Sequence, residues 1–348
     1  MKKCIYIFIL FGIFFVFGGC CRIVNTDVIN WEINPQENHG FDSTAVKSIY
    51  NTITNDDKIL SFLVIKDGYL LSEYYADGYD KNSLFPFYSC AKSITSAVYG
   101  IALDMGIIKS LDTKVADFFP QFTGNGKENV TIEHLLGFTC GLEWPELSPN
   151  THDHITGEWI QSNNWVDFVL ERDMETAPGT KFNYNSGAVH LLSGILQKAT
   201  GKKLSDFAEK QLFSKIGMKS VKWAEDPQGV TLGGGGIEMT ARDAARFGQL
   251  YANNGRCGDK QIIPEEWVQV STRKHSDGDF DYGSYGYSWW ISELGTDKVY
   301  SMYYTIGING QFIFVVPDLN LVSVITSEYI SFLTIRYFKR YVESGVIR

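Results

Sequence analysis

Phe87-Tyr88-Ser89-Cys90-Ala91-Lys92, running into the apolar stretch Ser93 to Met105, puts a serine and a lysine three residues apart at the start of an expected helix. Residues at i and i+3 share a helix face, so the Ser89 hydroxyl and the Lys92 amine come within hydrogen-bond reach. A serine hydroxyl is a weak nucleophile until a neighbouring base takes its proton. Lysine is that base only when burial against apolar neighbours lowers its pKa. Ile94, Val98, Ile101 and Met105 form a stripe of helical period able to bury it, and Gly106 stands where a helix stop belongs. The free N–H groups and positive dipole end of the first turn favour negative charge developing there. The spacing recurs at Ser271-Thr-Arg-Lys274, which leads into the polar His275-Ser-Asp-Gly-Asp, so that lysine stays solvated. The plain alternative for the first copy is a helix start with a solvated lysine.

The chain of 348 residues is 44% hydrophobic and 14% aromatic, enough for a core and far from a disordered composition. Its net charge is −9 with scattered cations, which argues against nucleic-acid binding. Lys2 and Lys3 precede the apolar run Ile5 to Phe17 and then Gly18-Gly19-Cys20, the pattern of a secretory signal. The run is shorter than the about 20 residues of a membrane span. The small pair before cysteine is similar to a bacterial lipoprotein signal, with Cys20 as the lipidated residue; ordinary secretion or an uncleaved anchor are the alternatives. Residues 1–20 are thus expected to be a signal, 21–41 a tether, and 42–348 the folded domain, lipid-anchored in the bacterial cell envelope outside the cytoplasm. Of six cysteines, Cys90, Cys140 and Cys257 lie beyond residue 21, and Cys90 and Cys140 suit packing as small apolar residues.

Asp42 or Ser43 caps an expected helix to about Thr54, and Ile59 to Ala76 reads as a hairpin turning at Asp67-Gly68. Helices follow at Thr131, Trp165–Glu171, Ser186–Thr200, Ser205–Ile216, Thr240–Ala252 and Pro264–Val270. Tyr285–Ile291, Val299–Tyr304, Gln311–Val316 and Leu321–Thr326 read as strands before a final helix from about Ser331 to Val346. The fold class expected is α+β: an antiparallel sheet formed from both chain ends, flanked by helices, with an inserted mainly helical subdomain.

With this layout, the chain resembles the serine β-lactamase and penicillin-binding-protein superfamily, in particular the class C β-lactamase-like branch with its esterase relatives. The resemblance rests on Ser89-Cys-Ala-Lys92, on Thr131-Ile-Glu-His-Leu-Leu-Gly-Phe-Thr-Cys-Gly-Leu142, on Pro178-Gly-Thr-Lys-Phe-Asn-Tyr184-Asn-Ser186, on the Gly-rich turn and helix from Gly233 to Arg246, and on the strand pair Gln311 to Thr326. It implies that Ser89 forms an acyl-enzyme and that Lys92 and Tyr184 share the general-base work, with the lysine ammonium favouring the phenolate. It implies an oxyanion site between the Ser89 N–H and one from the strand near Gly307. No metal or organic cofactor is required.

Two departures bear on the substrate. The family's usual Tyr-x-Asn ends here in Ser186, so its contact with the substrate falls to Ser186, Asn183 or Asn185. The usual Lys-Thr-Gly is replaced at Thr305-Ile306-Gly307, next to Ile308, and carries no cation. A missing charge-assisted contact costs about 1.5–3 kcal/mol of carboxylate recognition. The reading that results is a serine hydrolase of small esters or amides, like the family's esterases and aminohexanoate-oligomer hydrolases. The alternatives are a β-lactamase or D-peptidase acting on β-lactams or cell-wall peptides, and an envelope binding protein that traps acyl ligands without turnover. Gly-x-Ser-x-Gly is absent, which removes the anchor of an α/β-hydrolase reading. His152-Asp-His154 lacks a partner set for a metal, and His134 and His190 read as packed structural residues. Trp144, Trp159 and Trp165 are candidates for pocket wall or for subdomain cover.

Overall fold

The computed structural model describes residues 29, 31–33, 39–146, 154–279, 281–295, 298–328 and 332–345. The expected signal, Cys20, His152 and Asp153 lie outside these. Among the described residues no helix is long and apolar enough to cross a membrane.

A short strand β1 (Glu32–Ile33) and helix α1 (Ser43–Thr54) come first. The Asp42 carboxylate caps α1, accepting from the N–H groups of Thr44 and Ala45 at 2.9 and 3.1 Å. β2 (Ile59–Lys66) and β3 (Tyr69–Tyr75) form the hairpin, with Asp67 and Gly68 both at positive φ as a two-residue primed turn demands. β4 (Leu84–Pro86) leads through a 3-10 turn, Tyr88–Cys90, into α2 (Ala91–Asp104). The helical block follows with α3 (Ile132–Leu136), α4 (His154–Gln161), α5 (Trp165–Leu170), α6 (Ser186–Thr200), α7 (Leu204–Ala208) and, after a π turn, α8 (Ser214–Ile216). β5 (Lys222–Trp223) and β6 (Ile237–Thr240) pair with β4 in a small sheet ordered β4-β6-β5. Then come α9 (Ala241–Ala252), the β7 (Arg256–Cys257) and β8 (Lys260–Gln261) pair, α10 (Glu265–Ser271), and strands β9 (Ser276–Asp279), β10 (Gly283–Tyr285), β11 (Trp290–Leu294), β12 (Tyr300–Gly307), β13 (Gln311–Val316) and β14 (Leu321–Ser327) before α11 (Phe332–Gly345).

The main sheet runs β1-β3-β2-β14-β13-β12-β11-β10-β9. Strands from both chain ends meet at β2–β14, and every pair is antiparallel except β1–β3. β13 is buried along its whole length, which is why Phe312 to Val316 reads as a continuous apolar run. Period 2 then splits it between two helices. Phe314 stacks on Phe338 of α11, with centroids 4.2 Å apart, while Ile313 and Val315 face Gly248 of α9. The architecture is the α+β class expected from the sequence.

Three local expectations are corrected. The described part of 21–41 is no plain tether: β1 adds a parallel edge to β3, Ile29 N–H bonds the Ile216 carbonyl at 3.2 Å, and Phe41 is fully buried. Ile29 and Phe41 are buried and Trp31 packs against the core, which docks the segment. Tyr285–Ile291 is not one strand, because Ser288 adopts φ 62° and the chain reverses between β10 and β11. The polar 276–279 stretch forms the edge strand β9, where one side faces water and apolar alternation is not required.

A Cβ on Gly248 would lie 2.6 Å from Val322 Cγ1 and 2.9 Å from Ile313 Cγ2. Gly248→Ala gains about 1 kcal/mol of helix propensity, but the overlap costs about 1–3 kcal/mol. The denaturation midpoint is expected to fall; a rise would show that the α9–sheet spacing is soft.

Candidate active site

The 3-10 turn before α2 puts Ser89 at the floor of a cavity of about 460 Å³, and the first turn of α2 places Lys92 beneath it. Tyr88, which enters this turn, sits at φ 45°, an uncommon conformation for a side chain of that size. Lys92 is 1% exposed. Its Nζ donates to Ser89 Oγ at 2.8 Å and to the Gly234 carbonyl at 2.7 Å, and lies 4.9 Å from the Tyr184 ring centroid. Burying an unpaired ammonium costs several kcal/mol; these partners offset it. Neighbouring Cys90 is no rival for Ser89, since burial pushes its thiol up to about 12. In the second Ser-x-x-Lys copy, Lys274 is exposed and pairs with Asp277 at 2.6 Å.

The Gly-rich loop makes this burial possible. A Cβ on Gly233 would sit 2.7 Å from the Val189 carbonyl, and one on Gly234 3.0 Å from that of Ser186. Only glycines let the loop carbonyls approach α2 and α6 this closely. Across the cavity, a Cβ on Gly307 would stand 2.4 Å from the Phe87 carbonyl, so β12 closes directly on the segment that carries Ser89.

Tyr184 ends the loop before α6 and packs between Phe138 and Trp290, at centroid distances of 5.0 and 6.0 Å. Burial and then the Glu146 charge push its phenol well above its ordinary range, with the adjacent Ser89 hydroxyl opposing. This direction is opposite to the one that the Lys92 ammonium was expected to impose.

The proposed substrate contacts divide. Ser186 and Ile308 line the cavity. Asn185 does not: it is fully buried and caps α6, its Oδ1 accepting from Ala188 N at 2.8 Å. Asn183 is also turned away, donating to the Leu142 carbonyl at 3.2 Å. Thr305 points into the core, donating to Cys90 Sγ at 3.0 Å and accepting from Ile313 N at 3.2 Å. Strand alternation gives the cavity Ile306 instead.

Glu146 escaped the sequence reading. It lines the cavity, accepting the Ser186 hydroxyl at 2.6 Å through Oε1, and the Ser186 N–H and Trp144 Nε1–H at 2.8 Å each through Oε2. No spacing pattern marks it; its partner Ser186 stands 40 residues away. Among the described lining residues it is the one formal charge, set in a wall of Tyr88, Trp159, Ile160, Leu232, Tyr282 and Trp290. Of the three candidate tryptophans, Trp159 lines the cavity, whereas Trp144 and Trp165 pack behind it. His134 completes the α3 cap by accepting from Thr131 N at 3.2 Å, and His190 pairs with Asp226 at 3.0 Å, both structural roles.

Asn185→Ala removes a cap and is expected to cost about 1 kcal/mol of stability while leaving KM for an ester within about twofold. A large KM rise with unchanged stability would return Asn185 to the substrate contacts.

The family model described as Beta-lactamase matches residues 57–329. The chain is 24% identical over 289 residues to the 6-aminohexanoate-dimer hydrolase of Paenarthrobacter ureafaciens, spanning 77% of this chain and 72% of that protein. Among solved structures it is similar to a candidate 6-aminohexanoate-dimer hydrolase from Bacillus anthracis, with TM-score 0.74, 22% identity and coverage of 90% and 86%. It is also similar to a family VIII carboxylesterase, with TM-score 0.69, 16% identity and coverage of 86% and 96%. The model match spans most of the chain, with Ser89, Lys92 and Tyr184 inside it: the chain belongs to the beta-lactamase family of serine hydrolases.

Proposed function

We propose that the chain hydrolyses small neutral or cationic amides or esters through an acyl-Ser89 intermediate. The observation that carries this reading is the 2.8 Å hydrogen bond between buried Lys92 and Ser89 at the floor of the cavity. Ser89 Oγ attacks the carbonyl carbon and its proton passes to the neutral form of Lys92. The backbone N–H of Ser89 and one from β12 near Gly307 and Ile308 hold the oxyanion. Tyr184, kept protonated by burial and Glu146, gives its proton to the leaving amine or alkoxide and recovers one from Lys92. Water then enters, gives a proton to the same pair and attacks the acyl carbon; the bond from Ser89 Oγ to that carbon breaks, Oγ takes the proton back and the acid leaves.

The charge of the cavity supports the substrate class. No lysine, arginine or histidine is among the described lining residues, and Glu146 adds a negative charge. A substrate carboxylate meets repulsion there, whereas an ammonium or an uncharged chain does not. The Paenarthrobacter relative is named a 6-aminohexanoate-dimer hydrolase, which supports an amide as the bond cleaved. The amino-terminal segment, with Cys20 as lipidation site, would hold the enzyme outside the cytoplasm at a membrane.

A p-nitrophenyl butyrate ester, a neutral anilide and a chromogenic cephalosporin, assayed side by side with intact-mass analysis, test the proposal. Ser89→Ala is expected to lower ester or anilide turnover by about 10³-fold or more and to abolish an acyl adduct on residue 89. Equal rates in wild type and Ser89→Ala would reject the nucleophile, and dominant cephalosporin turnover would reject the substrate class.

Glu146→Gln gives a separate test. Removing one charge is expected to raise kcat/KM for an anionic ester relative to a neutral one by about tenfold. An unchanged ratio would mean that Glu146 acts through Ser186 and Trp144 alone.

A further inference from the structure

The chain is acidic overall, yet one segment reverses the sign. Residues 198–222 hold seven lysines against Asp206 and Glu209, in a protein of net charge −9. Lys215 and Lys219, both exposed, flank Ile216 in this segment. Lys219 also lines a shallow polar pocket with exposed Lys81 and with Arg242 and Arg246. Two acids partly balance this group. Glu73 takes a bidentate bond from Arg242 at 2.7 and 2.6 Å, and Asp243 takes one from Arg246 at 2.7 Å. Lys81 adds to the cations around Glu73 and adjoins exposed Asp80, so the excess charge of this face rests mainly on Lys215 and Lys219.

The chain enters the fold at the same place. Ile29 N–H bonds the Ile216 carbonyl at 3.2 Å, and Arg246 Nε donates to the Ile29 carbonyl at 2.9 Å. The Arg246 guanidinium also lies 5.4 Å from the Trp31 ring centroid. The apolar run ending at Phe17 is twelve residues upstream of Ile29, a reach of at most about 40 Å. An anchor at or before Cys20 therefore keeps this face within reach of the headgroups. The small sheet orients the face relative to the cavity. β4 and β6 have Leu84 paired with Thr240 at the basic end, while at the other end Phe87 N–H bonds the Ile237 carbonyl, two residues before Ser89. The patch and the catalytic candidates thus sit at opposite ends of these strands.

We propose that the face around Lys81, Lys215 and Lys219 docks on an anionic phospholipid surface, leaving the cavity open to water. Charge complementarity and the position of the chain's emergence both select this occupant. The contact is electrostatic and therefore screened by salt. It is independent of the substrate reading above.

The test partitions the full chain between buffer and vesicles of phosphatidylcholine alone or with 30% phosphatidylglycerol (about one lipid in three, where polybasic attraction is measurable). Wild type is expected to favour the anionic vesicles, and the preference to vanish in high salt. Lys81→Gln/Lys215→Gln/Lys219→Gln is expected to lose roughly fivefold in that preference per lysine, with ester hydrolysis retained as the check on folding. Lys181→Gln/Lys274→Gln, which removes exposed lysines elsewhere, is expected to keep the preference. Equal partition of wild type between the two vesicles, a salt-independent preference, or equal loss in both variants would overturn the proposal.

Discussion

A lysine ammonium taken almost wholly out of water beside a serine hydroxyl is the constraint on which the rest of this structure turns. Lys92 is tolerated at 1% exposure because Ser89 Oγ and the Gly234 carbonyl accept from it and the Tyr184 ring lies close by. Each partner comes from a different element: the 3-10 turn before α2, the Gly-rich loop before β6, and the loop before α6. The glycines at 233, 234 and 307 follow from the same demand, since a Cβ at any of them would meet backbone oxygen. The large sheet and the helical block are the rigid supports that hold these three segments within hydrogen-bond distance.

The same crowding sets the proton inventory of the site. Tyr184 is buried and faces the Glu146 charge, and both push its phenol upward. Cys90 is held neutral by burial beside Thr305 and Gln311. Lys92 is hydrogen-bonded to Ser89 Oγ, at 2.8 Å. Glu146 does a second thing: by accepting from the Ser186 hydroxyl and N–H it occupies the start of α6, where backbone N–H groups are otherwise free. A carboxylate there is compatible with the helix dipole and unfriendly to an anionic substrate.

Much of the fold was legible because its signals are local. The Asp67-Gly68 turn and the Asp42 cap each depend on a few consecutive residues, and each appears where the sequence places it. The break at Ser288 was not legible, since aromatic and polar residues run through it without a turn signature, and its bonds go to distant Ser93 and Leu136. Helix α4 was missed for a related reason: its residues look like a polar loop until Trp159 and Ile160 find the cavity and the tryptophan cluster behind it.

The sequence by itself determined the nucleophile motif, the period-3.6 stripe able to bury its lysine, the position of the tyrosine and the absence of a cation at Thr305-Ile306-Gly307. These are statements about residue type and spacing, which the chain carries however it folds. Only the tertiary structure decided which polar side chains reach the cavity. Asn185 and Thr305 stand at motif positions, but the demands of a helix cap and of the Cys90 contact turn them into the protein, while Glu146 arrives from 40 residues before Ser186. Side-chain direction depends on which face each element buries, and burial is settled by contacts between segments distant in sequence.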